Sequence, residues 1–208
     1  MKIDPSQLDN ADNYKLLTNL IVPRPIAWVT TINESGLVNL APFSFFNAVS
    51  SDPLQLMISV GTRADDSQKD TAANISRSSE FVINMVTEDL FEAMNISAAD
   101  FPAHLSELEA VGLHAASSDK INAPRVAASK VSFECVLRAT LPVGSSTIFV
   151  GEVVMMHLVD ELVSSRLHIT GFAPIGRMGS PSTYCRTTDR FEMPRTSYDQ
   201  LVERQRKV

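Results

Sequence analysis

Cysteine is scarce in this chain. Its 208 residues include two, Cys135 and Cys185, far apart and outside any C-x-x-C. That argues against a disulfide-stapled scaffold and predicts two free thiols in a reducing compartment. Cys185 follows Tyr184 directly, and a lone thiol there is expected to be inert. The four histidines, His104, His114, His157 and His168, show no metal-ligand spacing, so no metal is expected, and His157 and His168 read as structural. Positive charge is also in deficit. Eighteen Lys and Arg face 24 Asp and Glu, for a net charge of −6, which argues against a nucleic-acid surface. No apolar run approaches the roughly 20 residues of a membrane span. The opening MKIDPSQLDNADNY is polar and acidic and shows no secretory signal, so the expected location is the cytoplasm. Repeats and low-complexity linkers are absent as well. With 44% hydrophobic and 20% charged residues, the chain reads as one globular domain spanning 1–208. Residues 1–13 form an N-terminal extension, and 186–208 a tail that carries a helix.

What is present is a series of strand-like segments broken by short helices. DNYKLLTNL (12–20) predicts a helix with an Asp or Asn cap. PRPIAWVTT (23–31) predicts a strand after two prolines, and the turn NESG (33–36) folds the chain back into 37–46 as a hairpin. LQLMISVG (54–61) and EFVINMV (80–86) predict buried strands. Between them, Asp66 or Ser67 can cap a helix, and Ser67 with Asp70 has capping-box spacing. TEDLFEAMNIS (87–97) predicts a short helix. SELEAVGL (106–113) carries the clearest helix signature, with Ser106 at the N-cap, Glu109 at N3 and Gly112 at C′. VSFECVLRATL (131–141) alternates, placing Val131, Phe133, Cys135 and Leu137 on one face. STIFVGEVVMMHLVD (146–160) is a long strand whose Gly151 suits a bulge or bend. Ser197 and Gln200 predict a capping box for the tail helix. The class is mainly β, a barrel with short helices.

Two stretches stand out chemically. NLAPFSFFN (39–47) alternates Phe43 and Phe45 against Ser44 and Phe46, so apolar groups point both ways, and Pro42 removes a ladder donor. By itself this fits a core strand with a proline at its edge; a surface that receives something flat is the alternative. In SVGTRADDSQKDTAANI (59–75), a strand end is followed by Arg63 and by a helix opening with Lys69 and Thr71. Helix N–H groups, two cations and a hydroxyl make a phosphate cradle. The bland alternative is a solvated helix start. Asp65, Asp66 and Asp70 weaken the electrostatics, and Asp70 can instead orient Lys69 or Arg63.

Taken together, VPRPIAWVTT, NLAPFSFFN, the R-x5-KDT-x2-NI spacing, EFVINMV, SELEAVGL, the 123–135 stretch, IFVGEVV and PIGRMGSPSTY resemble the flavin reductase-like family, in its flavoredoxin-type branch. The resemblance runs from about Tyr14 to Tyr184. It implies a six-stranded Greek-key split barrel that binds FMN at a homodimer interface, with NAD(P)H as a possible transient cosubstrate. Free flavin, iron, a monooxygenase or another acceptor would receive the electrons. It implies that the isoalloxazine lies on Asn39, Leu40, Ala41, Pro42, Phe43 and Ser44, held by backbone N–H groups near Ala41 and Phe43. The ribityl phosphate would run toward Arg63, Lys69, Asp70 and Thr71, with Thr30 and Thr31 adding contacts. Arg24 and Trp28 read as structural. Arg177 and Tyr184 are candidates on the substrate side. Many members carry Gly-Asp-His at the turn before the GEV strand. Here that turn reads Gly144-Ser145-Ser146-Thr147, which bears on the nicotinamide donor rather than on the flavin.

Overall fold

The computed structural model describes residues 1–179 and 181–201. Seven strands form its main sheet: β1 (Ala27–Ile32), β2 (Val38–Phe43), β3 (Phe46–Ser51), β4 (Leu54–Gly61), β5 (Glu80–Met85), β6 (Val131–Val143) and β7 (Ser146–Leu158). Their spatial order is β2-β1-β5-β6-β7-β4-β3, with every neighbouring pair antiparallel. The two edge strands, β2 and β3, are consecutive in the chain. Only Ser44 and Phe45 separate them, so the covalent chain itself closes the sheet. Ser59 N–H reinforces the closure by donating to Phe45 O at 2.8 Å.

This arrangement corrects the expected six strands to seven. The aromatic segment is not one strand but two, broken at Ser44-Phe45. In a continuous strand Phe43 and Phe46 would face opposite sides. The bend turns both into the same core, where each is 8% exposed. Burying a second large ring there favours the break.

The barrel interior gathers Val29, Phe43, Phe46, Ile58, Phe81, Ile83, Cys135 and Phe149. Helix α2 (Asp70–Ser78) adds Ala72 and Ile75, three residues apart on one face, to this core. A second core lies outside the sheet. Trp28 and Leu40 face outward from β1 and β2 and meet Leu90, Met94, Leu108 and Ile175. Strand β1 is therefore buried on both faces, with Thr30 and Thr31 covered as well as its apolar residues. Asn84 crosses the strands beneath it: its amide donates to Trp28 O (3.0 Å) and Thr30 Oγ1 (3.2 Å) and accepts from Val126 N and Ser132 Oγ (both 2.9 Å).

Several local expectations change in detail. Helix α1 (Asn10–Leu20) begins two residues early because Asp9 caps it, accepting Asp12 N–H at 2.8 Å. Helix α2 begins at Asp70, not at Asp66 or Ser67. Asp65 takes the N–H and hydroxyl of Ser67 at 3.0 and 2.6 Å, and Lys69 stands at the N-cap without a side-chain bond. The 87–97 stretch splits into a 3₁₀ turn and α3 (Phe91–Ile96). SELEAVGL yields only one turn, α4 (Glu107–Ala110), ended by Gly112 at φ +71°. Gly151 sits at a bulge where Val150 pairs with Ala139 and Gly151 with Leu137. Ser197 and Gln200 exchange capping-box bonds of 2.9 and 3.3 Å, while 202–208 lie outside the described residues. No described helix is long and apolar enough to cross a membrane.

Candidate functional site

The outer edge of β2, the loop after β4 and the start of α2 border an open cleft. Asn39, Ala41, Pro42 and Phe43 form one wall, and Arg63, Lys69, Asp70 and Thr71 the other. The segment Ser97–Phe101 and Glu107 complete it. These groups are distant in sequence and come together because β2 is an edge strand. Arg63 is held in place: one terminal nitrogen meets Asp70 Oδ2 at 2.7 Å, and the other donates to Gln68 O. Asp70 thus orients Arg63 rather than capping the helix, which leaves the first N–H groups of α2 without a side-chain cap. Thr71 Oγ1, almost fully buried, accepts from Asn39 Nδ2 at 3.0 Å, tying the β2 wall to the helix wall. Lys69 is exposed and makes no ion pair among the described residues. The cleft has an apolar strip of Ala41, Pro42 and Phe43 on one side and a cationic helix start on the other. That donor set fits a flat ring joined to a phosphate.

The β2 backbone runs differently from expectation. Leu40 N–H points away from β1 and donates to Glu107 Oε2 at 2.9 Å. Antiparallel alternation then turns the amides of Asn39, Ala41 and Phe43 into the ladder with β1, against Thr31, Val29 and Ala27. Ala41 and Phe43 therefore line the cleft without offering it backbone donors. Pro42, the next outward position, has none to give. Leu40 does not line the cleft: its side chain is buried in the second core and its N–H is taken by Glu107. Thr30 and Thr31 do not reach the cleft. Both are 0% exposed; Thr30 donates to Pro124 O at 2.5 Å and Thr31 accepts from Asn74 Nδ2 at 3.0 Å. Ser44 is half-buried at the bend and accepts from Arg24 Nε at 3.3 Å.

Arg24 is buried and spends its remaining donors on Thr18 O (2.5 Å), Ile21 O (2.7 Å) and Met178 O (2.8 Å). This pins α1 and the 176–179 segment to the bend. Trp28 is fully buried, with its indole N–H on Ser97 Oγ at 2.9 Å. It thereby anchors the segment that forms the cleft's third side. Arg177 and Tyr184 meet each other rather than the cleft. The guanidinium lies 4.5 Å from the Tyr184 ring centroid, and Phe91 meets that ring edge-on at 4.7 Å. Burial pushes the Cys135 thiol far up, which makes it unreactive. His157 Nε2 lies 2.5 Å from Glu134 Oε1, and Glu134 also accepts Asp119 N–H and Lys120 N–H at 2.7 Å each. The carboxyl groups of Asp119 and Glu134 and the His157 ring thus cluster, but Glu134 is already filled by donors and serves as a loop anchor.

Sequence reasoning passed over Glu107 and the 97–101 segment. A glutamate directly after an N-cap serine reads as an exposed partner of the helix dipole. Only the docking of α4 on β2 buries it, to 7% exposure.

Residues 19–176 match the flavin reductase like domain family. An uncharacterized protein of Aquifex aeolicus is 42% identical over 181 residues, covering 86% of this chain and 92% of that protein. The crystal structure of nitrilotriacetate monooxygenase component B from Bacillus cereus superposes with a TM-score of 0.89 at 34% identity, covering 93% of this chain and 98% of that one. The 2-nitrobenzoate 2-nitroreductase of Pseudomonas fluorescens gives a TM-score of 0.86 at 37% identity, covering 95% and 98%. Sequence match and barrel topology agree, and the chain belongs to the flavin reductase-like family of split-barrel proteins.

Proposed function

We propose that this protein binds FMN in the cleft between β2 and the start of α2 and works as an NAD(P)H-dependent oxidoreductase. The observation that carries the reading is the meeting of two sequence-distant stretches in one cleft. The apolar strip of Ala41, Pro42 and Phe43 faces Arg63, Lys69 and Thr71 across it. The flavin supplies the hydride and electron chemistry, so the chain needs no nucleophile or acid–base pair of its own. Lys69 and the uncapped N–H groups of α2 hold the phosphate, and the Asp70 carboxylate keeps Arg63 aimed there. Ala41, Pro42 and Phe43 keep water from one face of the ring. Arg177 and Tyr184 pack on each other away from the cleft and take no part in this reading. The relatives named a monooxygenase component B and a nitroreductase suggest what receives the electrons: free flavin passed to an oxygenase, or a small organic acceptor. The protein acts in the cytoplasm as a homodimer.

A second reading is an FMN-binding electron carrier without efficient nicotinamide turnover. It is favoured by the hairpin turn between β6 and β7, which holds Gly144 and Ser145 where many members carry Gly-Asp-His. The visible spectrum of the purified protein separates the readings. Bound-flavin bands that bleach anaerobically on adding NADH or NADPH support the reductase. Bands that bleach only with dithionite support the carrier. Purified protein that takes up no FMN when mixed with it overturns both.

A further inference from the structure

We infer that Glu107 reads the flavin: its cleft-facing carboxylate oxygen accepts a hydrogen bond from an N–H or O–H donor of the ligand. The inference rests on the flavin reading above. Glu107 lines the main cleft and also a smaller neighbouring one, with Asn39 and Asp70 common to both. It therefore stands in the partition between the two clefts. Its Oε2 is committed to Leu40 N–H at 2.9 Å. Its Oε1 has no hydrogen-bond partner among the described residues and is not sealed away as a buried orphan. No cation pairs with the carboxylate among the described residues either. Burial pushes this carboxyl above its ordinary value, the Leu40 N–H and its own amide hold it down, and the Asp70 charge pushes it up again. Glu107 is only 7% exposed as a residue, and once a ligand closes the cleft an open carboxylate oxygen there is costly unless something donates to it.

The group is also rigidly aimed. Ser106, the residue before it, donates its hydroxyl to Val38 O at 2.7 Å, so Ser106 and Glu107 clamp alternate outward positions of β2. A phosphate cannot satisfy an open carboxylate oxygen. The donors a flavin offers are its ring imide N–H and its ribityl hydroxyls.

Glu107→Gln tests this with little structural change. Leu40 N–H still needs an acceptor, so the amide oxygen takes the Oε2 place. The cleft-facing atom then changes from acceptor to donor. Affinities for FMN, riboflavin and lumiflavin, which lacks the ribityl chain, would be measured by flavin fluorescence on wild type and variant. A thermal melt confirms that the variant folds. The expected result is a loss of about ten- to a hundredfold, that of a hydrogen bond to a charged acceptor. A loss with all three ligands makes the ring imide the donor. A loss with FMN and riboflavin but not lumiflavin makes it a ribityl hydroxyl. Unchanged affinity for all three, with wild type binding normally, overturns the inference and leaves the flavin reading standing. A loss confined to FMN also overturns it, since the effect then runs through the phosphate. A wild-type protein that binds none of the three overturns the flavin reading and this inference with it.

Discussion

Lys69 is the freer of the two cations at the start of α2, because Arg63 is already spent on Asp70 and Gln68 O. Lys69→Ala should therefore weaken FMN by about 1.5–3 kcal/mol, the cost of one charge-assisted bond, and leave riboflavin nearly unchanged. Equal losses for the two ligands in a fluorescence titration would remove Lys69 from the phosphate. On the opposite wall, Ala41 is half-buried, packs against the barrel core and lines the cleft. A leucine there fills the space a ring would occupy, so Ala41→Leu should harm FMN binding far more than Ser44→Ala. The serine change should leave FMN affinity nearly unchanged, since Ser44 does not line the cleft and its hydroxyl accepts from Arg24. Wild-type affinity in Ala41→Leu would mean that the ring does not lie on this strip.

The β6–β7 hairpin shows how an element accommodates the core. A Cβ on Gly151 would lie 2.5 Å from Phe81 Cζ and 3.0 Å from Cys135 Cβ. Phe81 is fully buried and cannot swing aside. Gly151→Ala should destabilise the protein by about 1–3 kcal/mol through overpacking, read as a lower urea midpoint at unchanged slope. The same hairpin carries Glu134, which is fully buried. Burial pushes its carboxyl up, but the Asp119 N–H, His157 and the Lys120 N–H together outweigh that and hold it below 4.5. A carboxyl whose pKa falls on folding adds stability above its unfolded value and loses it as pH falls through the folded one. Stability should therefore drop on acidification below 4.5, and Glu134→Gln should flatten that limb of the profile. An acid limb identical in wild type and variant would show that Glu134 does not contribute.

At the scale of the whole molecule, the chain leaves much apolar surface uncovered. Tyr14 and Leu17 at helical spacing on α1, and Ile21 just past its end, are 60%, 47% and 59% exposed. Leu141 and Val143 stand out at the end of the long hairpin, 57% and 48% exposed. A lone soluble chain seldom shows this many large apolar groups in contiguous patches. Light scattering should give twice the chain mass, and dilution below the dimer dissociation constant should release FMN. A monomer holding FMN at full occupancy would contradict the proposed dimer.

Six of the seven strands of the main sheet were legible because their signals are local; the strand Phe46–Ser51 was not. Alternation along 131–137, the apolar runs at 54–61 and 80–86 and the glycine at 151 each reflect neighbours within the strand or its immediate partner. The cleft's two walls were legible for the same reason: a proline-broken aromatic run and a cation-bearing helix start are visible residue by residue. The bend at Ser44-Phe45 was not, because nothing local says that Phe43 and Phe46 share one core. Nor was the direction of the β2 amides. That depends on Leu40 facing Glu107 across 67 positions of sequence. Thr30 and Thr31 looked available from their place at a strand end, and only the packing of Pro124 and Asn74 over them takes their hydroxyls away. The sequence by itself determined which segments become strands and which carry charge. Tertiary packing alone decided which polar groups remain free to meet a ligand, because a hydrogen bond made inside the protein is one the site no longer offers.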